Sequence, residues 1–427
     1  MTGQPLVLFG ATMWWPLSAR LAIALIRHGC RVSAVCPPGH PLTFVNGVEN
    51  LYPYRRFNSL EALRSAIVAS HPDIVVPCDD GVVWQLHSLH AQCPDLRPLI
   101  EKSLGASEMY PTVRSRRSVL QAAFELDIRI PATATLASEE DLDDWRFDPA
   151  AVLKADGTWG GSGVEIARSY PEARAAYRRL SQPSGPSTAW KRFMVDRDPL
   201  ALWMWRNCER PEVTIQEFIP GCPANTMFAC WKGEVLSMVT VKVLCAQGAT
   251  GAATVVRVIQ NEEIAEAVSL LARRLMLSGF HGLDFILEEG TDAAYLIELN
   301  PRCTQLGHLR LHGQGDLAGV FSAALKGSPS PPAEDCITDE MIAFFPQAFS
   351  WNPQSPYLHN GYHDVPWEEP NLLRELLREP WPSRQWPARI YHSFRPPKKQ
   401  SEVQFDRASH GKAEPSLADE TVLAAPH

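Results

Sequence analysis

The chain has 427 residues, 45 % of them apolar and 21 % charged, with a formal net charge of −8. That length predicts two or three domains, and the ordinary composition fits a globular enzyme or binding protein. The acidic balance, opposed only by small clusters such as Arg114, Arg116 and Arg117, argues against nucleic acid or an anionic membrane as the main partner.

Ten cysteines are scattered without a CxxC pair, which points to free thiols in a reducing compartment. The start, MTGQPLVLFG, lacks a secretory pattern, and no run approaches the ~18 apolar residues that span a bilayer. A cytoplasmic location is therefore expected.

In chain order, PLVLFG is a strand, and LSARLAIALIRHG is an amphipathic helix stopped by Gly29. RVSAVCPPG, SLEALRSAIVASHP and DIVVPCDDG then read as strand, helix and strand. Residues 1–110 thus form a small parallel α/β domain of Rossmann-like type, although the turn FGATMWWP lacks GxGxxG.

From 111 the pattern changes. A helix and a proline-bearing extended stretch lead to AVLKADGTWGGSGVEIA, a strand, glycine-rich loop and strand. VTIQEFIPG is a strand ending in Pro-Gly, and TMFACWKGEVLSMVTVKVL is a hairpin turning at Lys232–Gly233. Asn261 caps the next helix, whose stripe is Ile264, Val268, Leu271 and Leu275 and whose stop is Gly279. GLDFILEEGTDAAYLIELNPR is a hairpin around Gly290 and closes a section spanning 111–327. Residues 328–393 form a Pro/Trp-rich extension with a helix at NLLRELL, and 394–427 read as a disordered tail.

Four features carry chemistry. Glu298 and Asn300 share one face of their strand, and Asp284 lies on the neighbouring one; oxygen ligands of this kind suit Mg²⁺. A solvated sheet face with incidental acids is the plain alternative. Lys154 precedes Gly157, Gly160, Gly161 and Gly163, a loop whose backbone N–H groups can cradle phosphates while the lysine adds charge. An ordinary tight turn reads the same way. In IQEFIPG, Pro220 and Gly221 suit a hinge, where backbone groups can pair with an adenine edge and Phe218 or Ile219 can cover its face, although the stretch taken alone reads more readily as an ordinary strand end. Arg302, two residues after Asn300, can hold a carboxylate or a transferring phosphoryl group, or simply cap the hairpin.

The order of these strings, VLKADGTWGGSGV, IQEFIPG, GLDFIL and LIELNPR, resembles the ATP-grasp superfamily over roughly residues 1–325. The resemblance implies a two-subdomain ATP-grasp fold behind the N-terminal domain, an α/β plus α+β architecture. It implies an ATP-dependent ligase that joins a small carboxylate to an amine through an acyl-phosphate, releasing ADP and phosphate. On it, Lys154 binds phosphates, the loop Gly160, Gly161, Ser162 and Gly163 closes over them, and Glu217, Phe218 and Ile219 meet adenine. Asp284, Glu298 and Asn300 hold one or two Mg²⁺, with Mn²⁺ as a substitute, and Arg302 stabilises the acyl-phosphate.

Two positions depart from the family pattern. Arg116 stands where a nucleotide-contacting lysine is common, and Asn225 is the candidate in place of an acidic ribose contact. CTQLGH lacks the acid and histidine of the biotin-carboxylase branch, which counts against a bicarbonate carboxylase. A carboxylase or kinase on the same scaffold, or a non-catalytic nucleotide-binding module, are the rival readings. The partners expected are small molecules and a second copy in a homodimer. His308 with His312, and His87 with His90, lack a third ligand and read as ordinary. Lys242 reads equally as an acceptor-site residue or a solvated lysine, and the tryptophans as packing residues.

Overall fold

The computed structural model describes residues 3–156, 163–182, 185–195, 198, 202, 205, 211–329, 336–394 and 402–405. The first strands, β1 (Leu6–Gly10), β2 (Arg31–Val35), β3 (Val48–Tyr52) and β4 (Ile74–Pro77), form a parallel sheet in the order β3-β2-β1-β4. β3 is absent from the sequence reading. Its burial pattern is half-buried or exposed throughout, so it lacks the apolar run that marks its neighbours.

A second, antiparallel sheet has the order β5-β8-β6-β7, from β5 (Thr133–Leu136), β6 (Ala151–Ala155), β7 (Val164–Ala167) and β8 (Val213–Glu217). The helix Tyr170–Leu180 covers it through Ala173, Ala176 and Leu180.

The largest sheet starts with β9 (Gly221–Trp231), β10 (Glu234–Gln247), β11 (Ala253–Val258), β12 (Gly279–Glu288) and β13 (Ala294–Asn300). Lys232 and Gly233 take φ of 51° and 84° between β9 and β10, the left-handed pair that a tight hairpin needs. Gly221 opens β9 where the backbone nearly touches β12; a Cβ there would lie 2.0 Å from the Leu287 carbonyl oxygen. Only residues 218–220 separate β8 from β9, so the predicted Pro-Gly strand end is the connector between two sheets.

The helix Glu262–Arg274 packs Ile264, Val268 and Leu271 on this sheet, and Asn261 accepts from the Ile264 N–H at 2.9 Å. Its stop is not Gly279, which begins β12. Met276 takes the left-handed conformation (φ 49°), and the Leu277 N–H bonds back to the Ala272 carbonyl. A non-glycine residue closes this helix, so no glycine signals the end.

β14 (Arg310–Leu311) and β15 (Gly315–Asp316) form a two-stranded ladder before the helix Leu317–Lys326. The extension then joins the large sheet: β16 (Met341–Phe344) pairs with β11, β17 (Tyr362–Asp364) pairs with β16, and β18 (Glu402–Gln404) pairs with β10. Glu402–Gln404 are therefore ordered inside the stretch that the composition reads as disordered; 406–427 lie outside the described residues. Trp367 and Trp386 sit on the surface rather than packing.

One apolar cluster joins Val7, Phe9 and Leu21 of the first domain to Met227, Val239, Phe280 and Phe321 of the large sheet and its helix. A shared core of this kind holds the two as one body. All cysteines among the described residues are free, and no described helix is long and apolar enough to cross a membrane.

Candidate active site

Asp284 stands directly opposite Glu298 on one side and Asn225 on the other, and Gly282 stands opposite Asn300. Residues paired across antiparallel strands share a face, so Asn225, Asp284 and Glu298 form a polar row over β9, β12 and β13. The opposite face carries Leu283, Phe285 and Leu296 into a core with the helix Glu262–Arg274. A bulge after Asp284–Glu298 shifts the register by one residue, which lets both Leu296 and Leu299 reach that core while Glu298 and Asn300 keep to the polar side.

The row is tightly bonded. Asn225 Nδ2 donates to Asp284 Oδ1 at 2.6 Å, and Asn300 Nδ2 donates to Asp284 Oδ2 at 2.9 Å. Arg116, at the start of the helix Arg116–Phe124, donates from Nη1 to Asp156 Oδ1 at 2.9 Å and from Nη2 to Glu298 Oε1 at 3.0 Å. Arg302 Nε donates to Asp80 Oδ2 at 3.0 Å, and Asp80 opens the helix Asp80–Gln92 of the first domain.

Lys154 is 5 % exposed on β6. Burial first, then the Arg116 charge, pull its ammonium from 10.5 to about 8, against Glu298, Asp284 and Asp156. Burial raises Asp284, and the Glu298 charge adds to this despite two amide donors. Burial alone would also raise Glu298, but Arg116 and Lys154 overcome it and the net direction is down. Arg302 is held above its usual range; burial opposes this, and Asp80 prevails.

The site thus sets a buried cation beside two facing carboxylates and an amide. Among the described residues, no three His, Cys, Asp or Glu side chains converge as a metal cluster. The donor set of two carboxylates and an amide oxygen is all-oxygen, and Glu298 keeps 35 % of its side chain accessible, so Asp284, Glu298 and Asn300 fit a hard divalent cation.

Gly157, Gly160, Gly161 and Ser162 of the glycine-rich loop lie outside the described residues; Gly163 accepts from the Ala155 N–H at 2.9 Å. Glu217 is exposed at the end of β8, its N–H bonded to the Ala132 carbonyl, with Phe218 half-buried and Ile219 buried in the connector. Lys242 pairs with Asp292 at 3.7 Å. Two participants were not singled out from the sequence. Asp156 lies two residues after Lys154, and its only signal was that spacing. Asp80 sits within CDDGVVW, where nothing local announces a partner 222 residues away.

Residues 200–305 match the family model of an ATP-grasp domain. The chain carries an ATP-grasp domain. That stretch includes β8 to β13, hence the polar row, while Lys154 and Arg116 precede it. No curated protein gives a significant match.

Among solved structures, the N5-carboxyaminoimidazole synthase from Aspergillus clavatus, in complex with ADP and 5-aminoimidazole ribonucleotide, is similar with a TM-score of 0.56. It is 16 % identical, over 78 % of this chain and 79 % of that one. The L-amino acid ligase from Bacillus licheniformis is similar with a TM-score of 0.52 at 15 % identity, over 76 % and 75 % of the two chains. The biotin carboxylase domain of the Hydrogenobacter thermophilus 2-oxoglutarate carboxylase, in complex with MgADP, ADP and bicarbonate, has a TM-score of 0.56 at 12 % identity, over 78 % and 71 %. At such identities the likeness is one of fold.

Proposed function

We propose that this protein is an ATP-dependent ligase that joins a small carboxylate to an amine. The observation that carries the reading is the meeting of Lys154 from the small sheet and Arg116 from its helix with Asp284, Glu298 and Asn300 of the large sheet, in an ATP-grasp fold. Lys154 offers a positive charge to nucleotide phosphates, beside the glycine-rich loop. Glu217 at the end of β8, with Phe218 and Ile219 of the connector, would take the adenine through backbone groups. Asp284, Glu298 and Asn300 would hold Mg²⁺, which supplies charge neutralisation for the phosphates.

The first step transfers the γ-phosphoryl group to a carboxylate oxygen, giving an acyl-phosphate and ADP. An amine nitrogen then attacks the acyl carbon, the bond to the phosphate oxygen breaks, and the nitrogen loses a proton. Arg302, held in place by Asp80, stabilises the anionic acyl-phosphate. Positioning and charge neutralisation do the chemistry, with no protein nucleophile.

The test is ADP and phosphate release with ATP and Mg²⁺ over a panel of small carboxylates and amines. Release that requires both substrates is the expected result. ADP release driven by bicarbonate alone would replace this reading with that of a carboxylase.

A further inference from the structure

Asn225 lies near the middle of β9, opposite Val241 of β10 on one side and Asp284 of β12 on the other. Its neighbours Ala224 and Thr226 are buried, and the Thr226 hydroxyl donates to the Val239 carbonyl at 3.1 Å. A strand with ladder bonds along both edges has little freedom to shift. Asn225 is therefore a polar side chain on a fixed stretch of backbone.

Asp284 is gripped from both neighbouring strands. Asn225 Nδ2 donates to Oδ1 at 2.6 Å from β9, and Asn300 Nδ2 donates to Oδ2 at 2.9 Å from β13. An ionised carboxylate only accepts, so each amide presents its nitrogen, and two of about four lone-pair sites are taken, one on each oxygen. With a donor on each oxygen the group can neither swing nor rock without breaking a bond.

The residue type at 225 matters as well. Glu298 already faces Asp284 from the other strand. A carboxylate at 225 would face it from this side too, and like charges directly opposite across strands are destabilising. Alanine would leave Oδ1 without its donor, and the single bond from Asn300 would let the carboxylate pivot. Asparagine alone of these three holds Asp284 without adding charge.

Rigidity of this kind discriminates between ions. Ca²⁺ takes six to eight oxygens at ~2.3–2.6 Å in pliant arrangements, often with a carboxylate giving both oxygens, whereas Mg²⁺ demands an octahedron at ~2.0–2.1 Å. A carboxylate that cannot adjust suits the smaller ion. We infer that Asn225 is a positioning residue, which fixes Asp284 and thereby sets the preference of the site for Mg²⁺ over Ca²⁺. The inference rests on the assignment of Asp284, Glu298 and Asn300 to the metal under the ligase reading.

The test is titration calorimetry of the full chain with preformed MgATP and with preformed CaATP, beside melting curves of each ligand-free variant. The wild type should bind MgATP more tightly than CaATP. Asn225→Ala should weaken MgATP by roughly tenfold or more, the usual cost of losing a group that orients a metal ligand, and CaATP by much less. The ratio of the two affinities then narrows. Asn225→Ser keeps a donor, should recover part of that ratio, and covers the case of a misfolded alanine variant. Equal affinities in the wild type, a ratio unchanged in both variants, or an equal loss of both complexes overturns the inference; equal loss is what a purely structural role would give. Glu298→Gln separates this outcome from the reading beneath it. If that variant binds MgATP and releases ADP as the wild type does, the metal assignment fails. If it loses both while Asn225→Ala keeps the wild-type ratio, the assignment stands and only the role of Asn225 falls.

Discussion

Arg116 reaches Glu298 across 182 positions of chain, donating at 3.0 Å, while its other terminal nitrogen holds Asp156. Asp156 follows β6 in the small sheet and Glu298 lies on β13 in the large one, so a single guanidinium fixes the spacing of the two sheets at the cleft. The rigid fork holds the two carboxylates apart and favours the ionised form of both against their burial, which prevails at Asp156 and is overcome at Glu298; a single-point ammonium could not hold both.

Replacing Arg116 with alanine should therefore cost more than a surface ion pair. It leaves two half-sheltered carboxylates facing each other, and the expected loss is about 2–4 kcal/mol, just below the range for fully buried pairs because Glu298 is partly accessible. Arg116→Lys should recover part of the stability, since it can pair with only one carboxylate. Urea denaturation of both variants reads the difference, and equal stability of Arg116→Ala and wild type would remove the bridge from the argument.

Glu298→Gln keeps the shape of the side chain and removes half of the facing carboxylate pair. Turnover of ATP should fall on the order of 10²-fold or more, as when a charge-stabilising group is lost from a reacting centre. Stability should move little by comparison, because relief of repulsion with Asp284 offsets the weakened Arg116 contact. Steady-state ADP release and a melting curve on the same preparation give both readings. Near-normal turnover contradicts the assignment of Glu298 to the metal.

How far this site could be read in advance depended on the range of each interaction. The row Asp284, Glu298 and Asn300 was legible because strand alternation is local and the hairpin around Gly290 brings its two halves together. Asn225 entered only as a doubtful ribose contact, yet it donates to Asp284, because pairing of β9 with β12 decides its neighbour. Asp80 and Asp156 were not legible as partners, since no periodicity links them to Arg302 and Arg116. The extension illustrates the same limit: Met341–Phe344 is short and lies far from β11, so composition alone separated it from a sheet that it joins. His308 read as ordinary because its partner Asp364 is 56 residues away.

Acid should weaken the fold before the carboxylates titrate. Burial lowers His40 and His87 from 6.5 to about 3, and His281 to about 4. The folded values are depressed, so below about pH 6.5 the unfolded chain takes up protons that the folded chain refuses, and stability falls as pH falls towards 4. Each histidine contributes at most ~1.4 kcal/mol per pH unit. Denaturation midpoints measured between neutral pH and pH ~5 should decline, and His87→Phe, which keeps a ring against Tyr110, should flatten the slope. A flat profile in the wild type would mean that these rings accept protons in place.

Nucleotide affinity should carry the signature of Lys154. Its folded value of about 8 lies below the ordinary 10.5, so between these pH values the unfolded chain holds a proton that the folded chain has released. Ligand-free stability accordingly rises with pH across that window, and the charged lysine is the costly state below it. A polyphosphate reverses the preference by pairing with the ammonium. ATP affinity should therefore fall as pH rises above about 8, by up to ~tenfold per pH unit, with uptake of up to one proton on binding. Titration calorimetry in two buffers of different ionisation enthalpy measures that uptake directly. Lys154→Met should bind ATP more weakly and lose the pH dependence over the same range. If the wild type binds ATP equally well at pH ~7.5 and ~9.5 without proton uptake, Lys154 does not meet the phosphates.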